Sequence, residues 1–228
     1  MKIISFSLWG DNPKYCVGAI RNALLAQEIY PDWVCKFYCG KSVPEKTVDI
    51  LKSLSNVIVE DMPVDDWTGM FWRFLPASDP AVECMISRDC DSRLTHREKS
   101  AVDAWIKSDK GFMIIRDHPW HGAKILGGLW GAKKGVVPDM DKLIQEWKQE
   151  DRWQTDQDFL GEIVYDRVKW DSMIFDEFFN IDWPRYSMPL ERKNWEFCGQ
   201  SFDEFDNTIA EHTLAIKQTR YRFPTKEA

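Results

Sequence analysis

No two cysteines in this chain have C-x-x-C spacing, and the six present (Cys16, Cys35, Cys39, Cys84, Cys90, Cys198) form no Cys/His pattern of a zinc site. Glycine (12) and proline (11) are too few for a collagen-like or low-complexity chain. No apolar run approaches the roughly 18 residues that span a bilayer. Positive charge is also short: 30 Lys and Arg face 37 Asp and Glu, a formal net charge of −7 over 228 residues. A field of that sign repels phosphate backbones, so nucleic acid is not the expected partner. The apolar start, Met1 to Gly10, lacks a small-residue cleavage site and reads as a buried strand rather than a secretory leader. The expectation is a soluble, cytoplasmic protein with reduced thiols and no membrane span. What the chain does have is 44% hydrophobic and 29% charged residues, a balance that excludes general disorder. Aromatic residues stand out, with 12 Trp, 6 Tyr and 13 Phe. Most belong in a core, yet the tryptophans exceed what a core of this size needs, and sugars or bases stack on such rings.

Ile3 to Leu8 is a β-rich run closed by the turn cluster Gly10-Asp11-Asn12-Pro13. Tyr15 to Tyr30 has apolar residues at helical spacing, and Pro31 stops it. Trp33 to Cys39 reads as a second strand, Pro44 to Leu54 as a helix with proline in its first turn, and Val57 to Val59 as a third strand. This alternation predicts an open, mainly parallel α/β sheet flanked by helices. Trp67 to Leu75 is a further helix candidate ending before Pro76, and Ala81 to Ser87 a fourth strand. Residues 95 to 108 look helical, Phe112 to Ile115 extended, and Lys124 to Gly131 a glycine-interrupted strand where a ligand or another backbone approaches. Asp139 to Lys148 and Asp156 to Val168 read as helices, the last 60 residues are less regular, and Lys217 to Arg222 is basic. With no repeat and no linker, residues 1–228 make one domain.

The strongest chemical signal is Asp89-Cys90-Asp91 at the end of the fourth strand. Ligands of open parallel sheets bind outside the strands' carboxyl ends. Two carboxylates two residues apart there can share a divalent cation and leave positions for phosphate oxygens. The bland reading is a turn, since Asp favours loops. Arg88 and Arg93 flank the motif, and arginine binds diphosphate oxygens bidentately. Thr155-Asp156-Gln157-Asp158 opens a helix, either as a near capping box or as a carboxylate held toward a sugar. Of its two acids, Asp158 precedes the apolar Phe159-Leu160 pair and is expected to lie inward as the catalytic carboxylate, with Asp156 at the rim. Arg116 to Gly122 holds two of the four histidines, His118 and His121, which could bind metal or acceptor hydroxyls or merely be solvated.

In order along the chain come Ser5 to Gly10, the helix carrying Arg21, Phe71-Trp72-Arg73-Phe74, the Arg88 to Arg93 element, Gly127-Gly128-Leu129-Trp130-Gly131 and Asp156-Gln157-Asp158. Together, over residues 3 to about 205, they resemble small nucleotide-sugar glycosyltransferases of the Rossmann-like GT-A fold, the single-domain type encoded by chlorella viruses and some bacterial polysaccharide clusters. The D-x-D is the most specific part of the likeness. The resemblance implies Mn²⁺ or Mg²⁺ on Asp89 and Asp91, and a nucleoside against Ser7, Leu8, Trp9, Gly10 and Tyr15. Arg73 and Arg88, as cations that can meet diphosphate oxygens, are expected with Asp89 at the donor, which by resemblance is a uridine diphosphate sugar. His118, His121, Trp130 and Asp156 would then face a glycan or glycoprotein acceptor. A nucleotide-binding half would run to about residue 92 and an acceptor half from about 93. The physics agrees: glycosyl transfer needs a neutralised leaving diphosphate and a carboxylate near an oxocarbenium-like carbon.

Other classes fit less well. Haloacid-dehalogenase-type phosphatases carry D-x-D after the first strand, whereas here it stands at residue 89 and continues into Ser92-Arg93. A nucleotidyltransferase acting on sugar phosphates joins similar parts, but no glycine-rich phosphate loop follows the first strand. A glycan-binding module rests on the tryptophans alone.

Overall fold

The structure is a computed structural model that describes residues 1–147, 151–152, 154–179, 182 and 184–219. Along the chain run β1 (Lys2–Leu8), α1 (Pro13–Ile29), β2 (Val34–Cys39), α2 (Glu45–Ser53), β3 (Val57–Asp61), a 3-10 helix (Trp67–Ser78) and β4 (Cys84–Arg88). Then follow α3 (His96–Lys107), β5 (Phe112–Arg116), β6 (Trp130–Lys133), α4 (Met140–Glu146), α5 (Thr155–Phe159), a π turn (Leu160–Val164), α6 (Tyr165–Val168), β7 (Ser172–Asp176) and α7 (Ala210–Gln218). Among the described residues the strands form one sheet in the order β3-β2-β1-β4-β6-β5-β7. Six strands run the same way, and β6 alone is antiparallel to both neighbours, β4 and β5. The expected mixed, mainly parallel α/β sheet in one domain is what forms.

Because strand side chains alternate, each central strand feeds two cores. Ile4, Phe6, Ile86 and Ile115 point into one, with Ala19, Ala23 and Ala26 of α1 and Trp105 of α3. Ile3, Met85, Phe112 and Ile114 point into the other, with Phe71, Phe74 and Phe159. The alanine stripe lets α1 lie close to the sheet, and a Cβ added at Gly18 would stand 2.0 Å from the Cys90 carbonyl oxygen. The helix starts at Asn12, whose side chain accepts from the Lys14 N–H, and Pro13 fills the first turn. Trp130, expected at the acceptor, is instead fully buried: it stacks on Phe112 at 5.2 Å and meets Phe74 edge-on. All six cysteines are buried free thiols. Among the described residues no helix is long and apolar enough to cross a membrane.

Three local expectations change. The helix predicted over Trp67 to Leu75 is of 3-10 type and runs through Pro76 to Ser78. Its Arg73 N–H is drawn out to Ser7 Oγ, 2.9 Å away, and proline has no N–H to lose. The strand predicted from Lys124 begins only at Trp130, because the Gly127 carbonyl is taken by Ser87 Oγ and Arg73 Nε. β7 lies in the stretch that reads as irregular, where it pairs in parallel with β5. Lys148, at the end of the helix predicted from Asp139, and Arg220 to Arg222 of the basic end lie outside the described residues.

Candidate active site

β1 is the switch point of the sheet, with β2 on one side and β4 on the other. At the carboxyl ends of β1 and β4 opens a cavity of about 440 Å³. Ser7 and Leu8 end β1, and Trp9 and Gly10 continue along its wall with Asn12 and Tyr15 of the α1 entry. Asp89, Cys90 and Asp91 follow β4, and Gly127 to Leu129 precede β6. His121, Gln154, Asp156, Gln157 and Gly199 come from farther along the chain.

Arg73 organises one side. Its guanidinium reaches Asp89 at 3.0 Å and Asp156 at 2.7 Å, and its Nε donates to the Gly127 carbonyl. Glycine is required at 127 and 128 because these side chains lie on the backbone. A Cβ at Gly127 would be 2.4 Å from an Arg73 nitrogen, and one at Gly128 2.1 Å from Asp89 Oδ2. Gly128→Ala is therefore expected to push Asp89 aside. Overpacking of this kind costs about 1–3 kcal/mol, eased here because the Asp89 side chain can turn toward the cavity, so the melting temperature should drop only modestly. Melting curves of the variant beside the wild type check this.

The Asp89–Asp91 loop is pinned from both sides. Buried Asn22 of α1 donates to the Cys90 and Ser92 carbonyls and accepts from the Leu94 N–H. On the other side Ser201 Oγ donates to Asp91 Oδ2 at 2.8 Å, and the Phe202 N–H donates to the Asp91 carbonyl. Lys14 Nζ stands 2.7 Å from the same Asp91 oxygen. The Asp89 carboxyl is pushed up from its ordinary value, mainly by burial; Arg73 opposes the shift, while Asp91 and Asp156 add to it. Its exposed part faces the cavity, inside a dense shell of protein.

His121 is held as a neutral ring. Its Nδ1 accepts the Asp117 N–H at 3.1 Å, and burial followed by the charge of His118 pushes its pKa down to about 3. His118 and His212, in the same cluster, are also lowered by burial. Asp117 anchors the cluster, accepting from Arg97, Arg192 and the Cys198 N–H. Burial alone would raise the Asp117 carboxyl, but the bonds and charge of Arg97 outweigh it and hold it below the usual range. The unfolded chain binds a histidine proton near pH 6.5 and the folded one does not, so stability is expected to fall as pH drops from about 6.5 toward the folded value. His121→Gln should flatten that slope in melting temperatures measured from pH 7 to pH 4.5.

Most of the expected donor-side residues meet in this cavity: Ser7, Leu8, Trp9, Gly10, Tyr15 and Arg73, with Asp89 and Asp91. Arg88 does not. It alternates with Ser87 and Asp89 along the chain, so it points to the other face, fully buried against Glu98 at 2.8 Å. Asp158 also faces away, paired with Arg152 at the surface, while Asp156 is the acid in the cavity. The reason is helical: Asp156 shares its face with Phe159 and Leu160, three and four residues on, and Asp158 is rotated off it. His118 is buried, its Nε2 3.0 Å from the His212 carbonyl oxygen and its ring against Phe197; only His121 of the pair lines the cavity. Sequence reasoning missed Lys14, Asn22, Gln154 and Ser201. Asn22 carried a signal, as a polar residue within the alanine stripe; Gln154, at φ 67°, and Ser201 carried none.

No preformed cage of three or more Asp, Glu, His or Cys groups occurs among the described residues. Asp89 and Asp91 offer hard oxygen donors at one edge of the cavity, which both residues line. That donor set fits Mg²⁺ or Mn²⁺, which bind through one or two carboxylates and complete their shell with phosphate oxygens and water.

No family model and no curated protein matches the chain. Solved structures do. The galactosyltransferase LgtC, in complex with donor and acceptor sugar analogs, is 13% identical with a TM-score of 0.52, over 77% of this chain and 73% of its own. A glycosyltransferase involved in glycosylation of the major capsid of PBCV-1 is 14% identical with a TM-score of 0.50, over 77% and 80%. The mannosyltransferase PcManGT from Pyrobaculum calidifontis, in complex with GDP-Man and Mn²⁺, is 8% identical with a TM-score of 0.51, over 85% of this chain and 57% of its own. At such identities the likeness is one of fold, and the fold of this chain is the GT-A fold of these glycosyltransferases.

Proposed function

We propose that the chain is a divalent-cation-dependent glycosyltransferase that moves a sugar from a nucleoside diphosphate sugar, with uridine diphosphate as the nucleotide, to a hydroxyl of a glycan or glycoprotein. The observation that carries this reading is the meeting of Asp89, Asp91, Arg73 and Asp156 around one cavity at the switch point of a GT-A sheet. The donor and acceptor sugar analogs of LgtC, and the GDP-Man and Mn²⁺ of the mannosyltransferase, support it. Mn²⁺ or Mg²⁺ on Asp89 and Asp91 would supply charge neutralisation for the leaving diphosphate.

The chain's own groups do the rest. The Ser7–Gly10 turn and Tyr15 receive the nucleoside, so the chain to about residue 92 serves mainly the nucleotide. Arg73 adds a fixed positive charge beside the diphosphate and orients Asp89 and Asp156 at once. As the bond from the anomeric carbon to the diphosphate oxygen breaks, Asp156 stabilises the oxocarbenium-like centre and is within the same cavity to take the acceptor's proton. Neutral His121 offers an N–H to an acceptor hydroxyl from the later half of the chain.

Phosphorus NMR of the protein with Mn²⁺ and a panel of nucleotide sugars tests the reading. Release of nucleoside diphosphate supports it. Pyrophosphate release from a nucleoside triphosphate and sugar phosphate would make the chain a nucleotidyltransferase, and glycan binding without turnover would make it a binding module.

A further inference from the structure

Each carboxylate of the cavity already has a cationic neighbour. Arg73 holds Asp89 and Asp156, and Lys14 holds Asp91. The two cations are held very differently. Arg73 is buried, 10% exposed at the side chain, and tied also to the Gly127 carbonyl. Lys14 stands in the first turn of α1, its side chain 28% exposed, with Asp91 as its one anionic partner at ion-pair distance among the described residues. A flexible four-carbon stem lets an ammonium move several ångströms without disturbing its helix. Asp91 itself stays in place without Lys14, because Ser201 Oγ bonds the same oxygen and the Phe202 N–H bonds its backbone.

We propose that Lys14 is a displaceable counter-cation: it neutralises Asp91 in the empty cavity, gives way to the divalent cation, and passes its ammonium to the donor's diphosphate. The inference rests on the reading of the site as one for a nucleoside diphosphate and a divalent cation. A cation arriving alone must compete with Lys14 for Asp91 and then sits beside an ammonium with no anion. A cation arriving with a diphosphate brings the anion that takes Lys14 over. Cation and nucleotide are therefore coupled through this side chain, and by linkage each raises the other's affinity by the same factor.

The test titrates Mn²⁺ into the full chain, reading free Mn²⁺ by electron paramagnetic resonance, with and without uridine diphosphate. Wild type is compared with Lys14→Met, which keeps the length and removes the charge, and Lys14→Arg, which keeps the charge. Lys14→Met is expected to bind Mn²⁺ alone about tenfold tighter, and the enhancement by the nucleotide to shrink about tenfold, within the usual 5–150-fold range of coupling. Lys14→Arg should stay near wild type. Equal Mn²⁺ affinity in wild type and Lys14→Met overturns the proposal and leaves the proposed function standing. Lys14→Arg behaving as Lys14→Met overturns it as well, because charge would not be the cause. Absence of Mn²⁺ binding in every protein, with and without nucleotide, overturns both.

Discussion

Asp156→Asn is expected to lower kcat for transfer by about 10²–10⁴-fold, the usual worth of a positioned acid or base. Donor binding should change little, since the side chain keeps an oxygen that can accept from Arg73. Asp158→Asn is the matched control: at the surface beside Arg152, it should leave kcat within about twofold. Steady-state rates and melting curves of the two variants, made side by side, check the assignment. Similar losses in both, or a loss at Asp158 alone, would take Asp156 out of the reaction.

Asp91→Asn should remove most activity at any Mn²⁺ concentration, a fall of about 10³-fold if charge neutralisation of the diphosphate supplies several kcal/mol. The fold should survive, because the loop is held by Asn22 and by the Phe202 N–H rather than by the charge of Asp91. Chelation of the wild-type protein should reproduce the loss, and added Mn²⁺ should reverse it. Full activity of the variant at saturating Mn²⁺ would remove Asp91 from the cation site.

What was legible in the sequence follows from the range of the interactions involved. β1, β2 and β3 with α1 and α2, the turn at Gly10 to Pro13, and the strand that delivers Asp89 are set by local pattern, and they form where the sequence places them. The glycine pair at 127–128 was visible as a place of close approach, though not what approaches: Arg73, Asp156 and Asp89 come from 54, 29 and 39 residues away in sequence. Two errors were errors of phase. Arg88 cannot share a face with Asp89, because adjacent strand residues face opposite ways, and Asp156 rather than Asp158 lies inward, because the helical repeat joins residue 156 to Phe159 and Leu160. Trp130, which the resemblance puts on the acceptor side, is a fully buried ring between Phe112 and Phe74 and belongs to the core. Ser201 and β7 were out of reach because their partners, Asp91 and β5, lie 110 and about 60 residues earlier.

The clasp of Ser201 and Phe202 on Asp91 also bears on the order in which the molecule comes together. During synthesis the first three parallel strands and α1 can pair as soon as they emerge, since β1, β2 and β3 are neighbours in both sequence and space. Asp89 and Asp91 then wait for partners that arrive much later: Asp156 closes the Arg73 bridge across 83 residues, and Ser201 closes the loop across 110. Loop-closure entropy must be met before such distant contacts can form, and non-local pairing of this kind slows folding. Arg73 and Asp91 thus reach their observed geometry only once residues 156 and 201 have docked, so the integrity of the cavity reports on folding of the chain through residue 201.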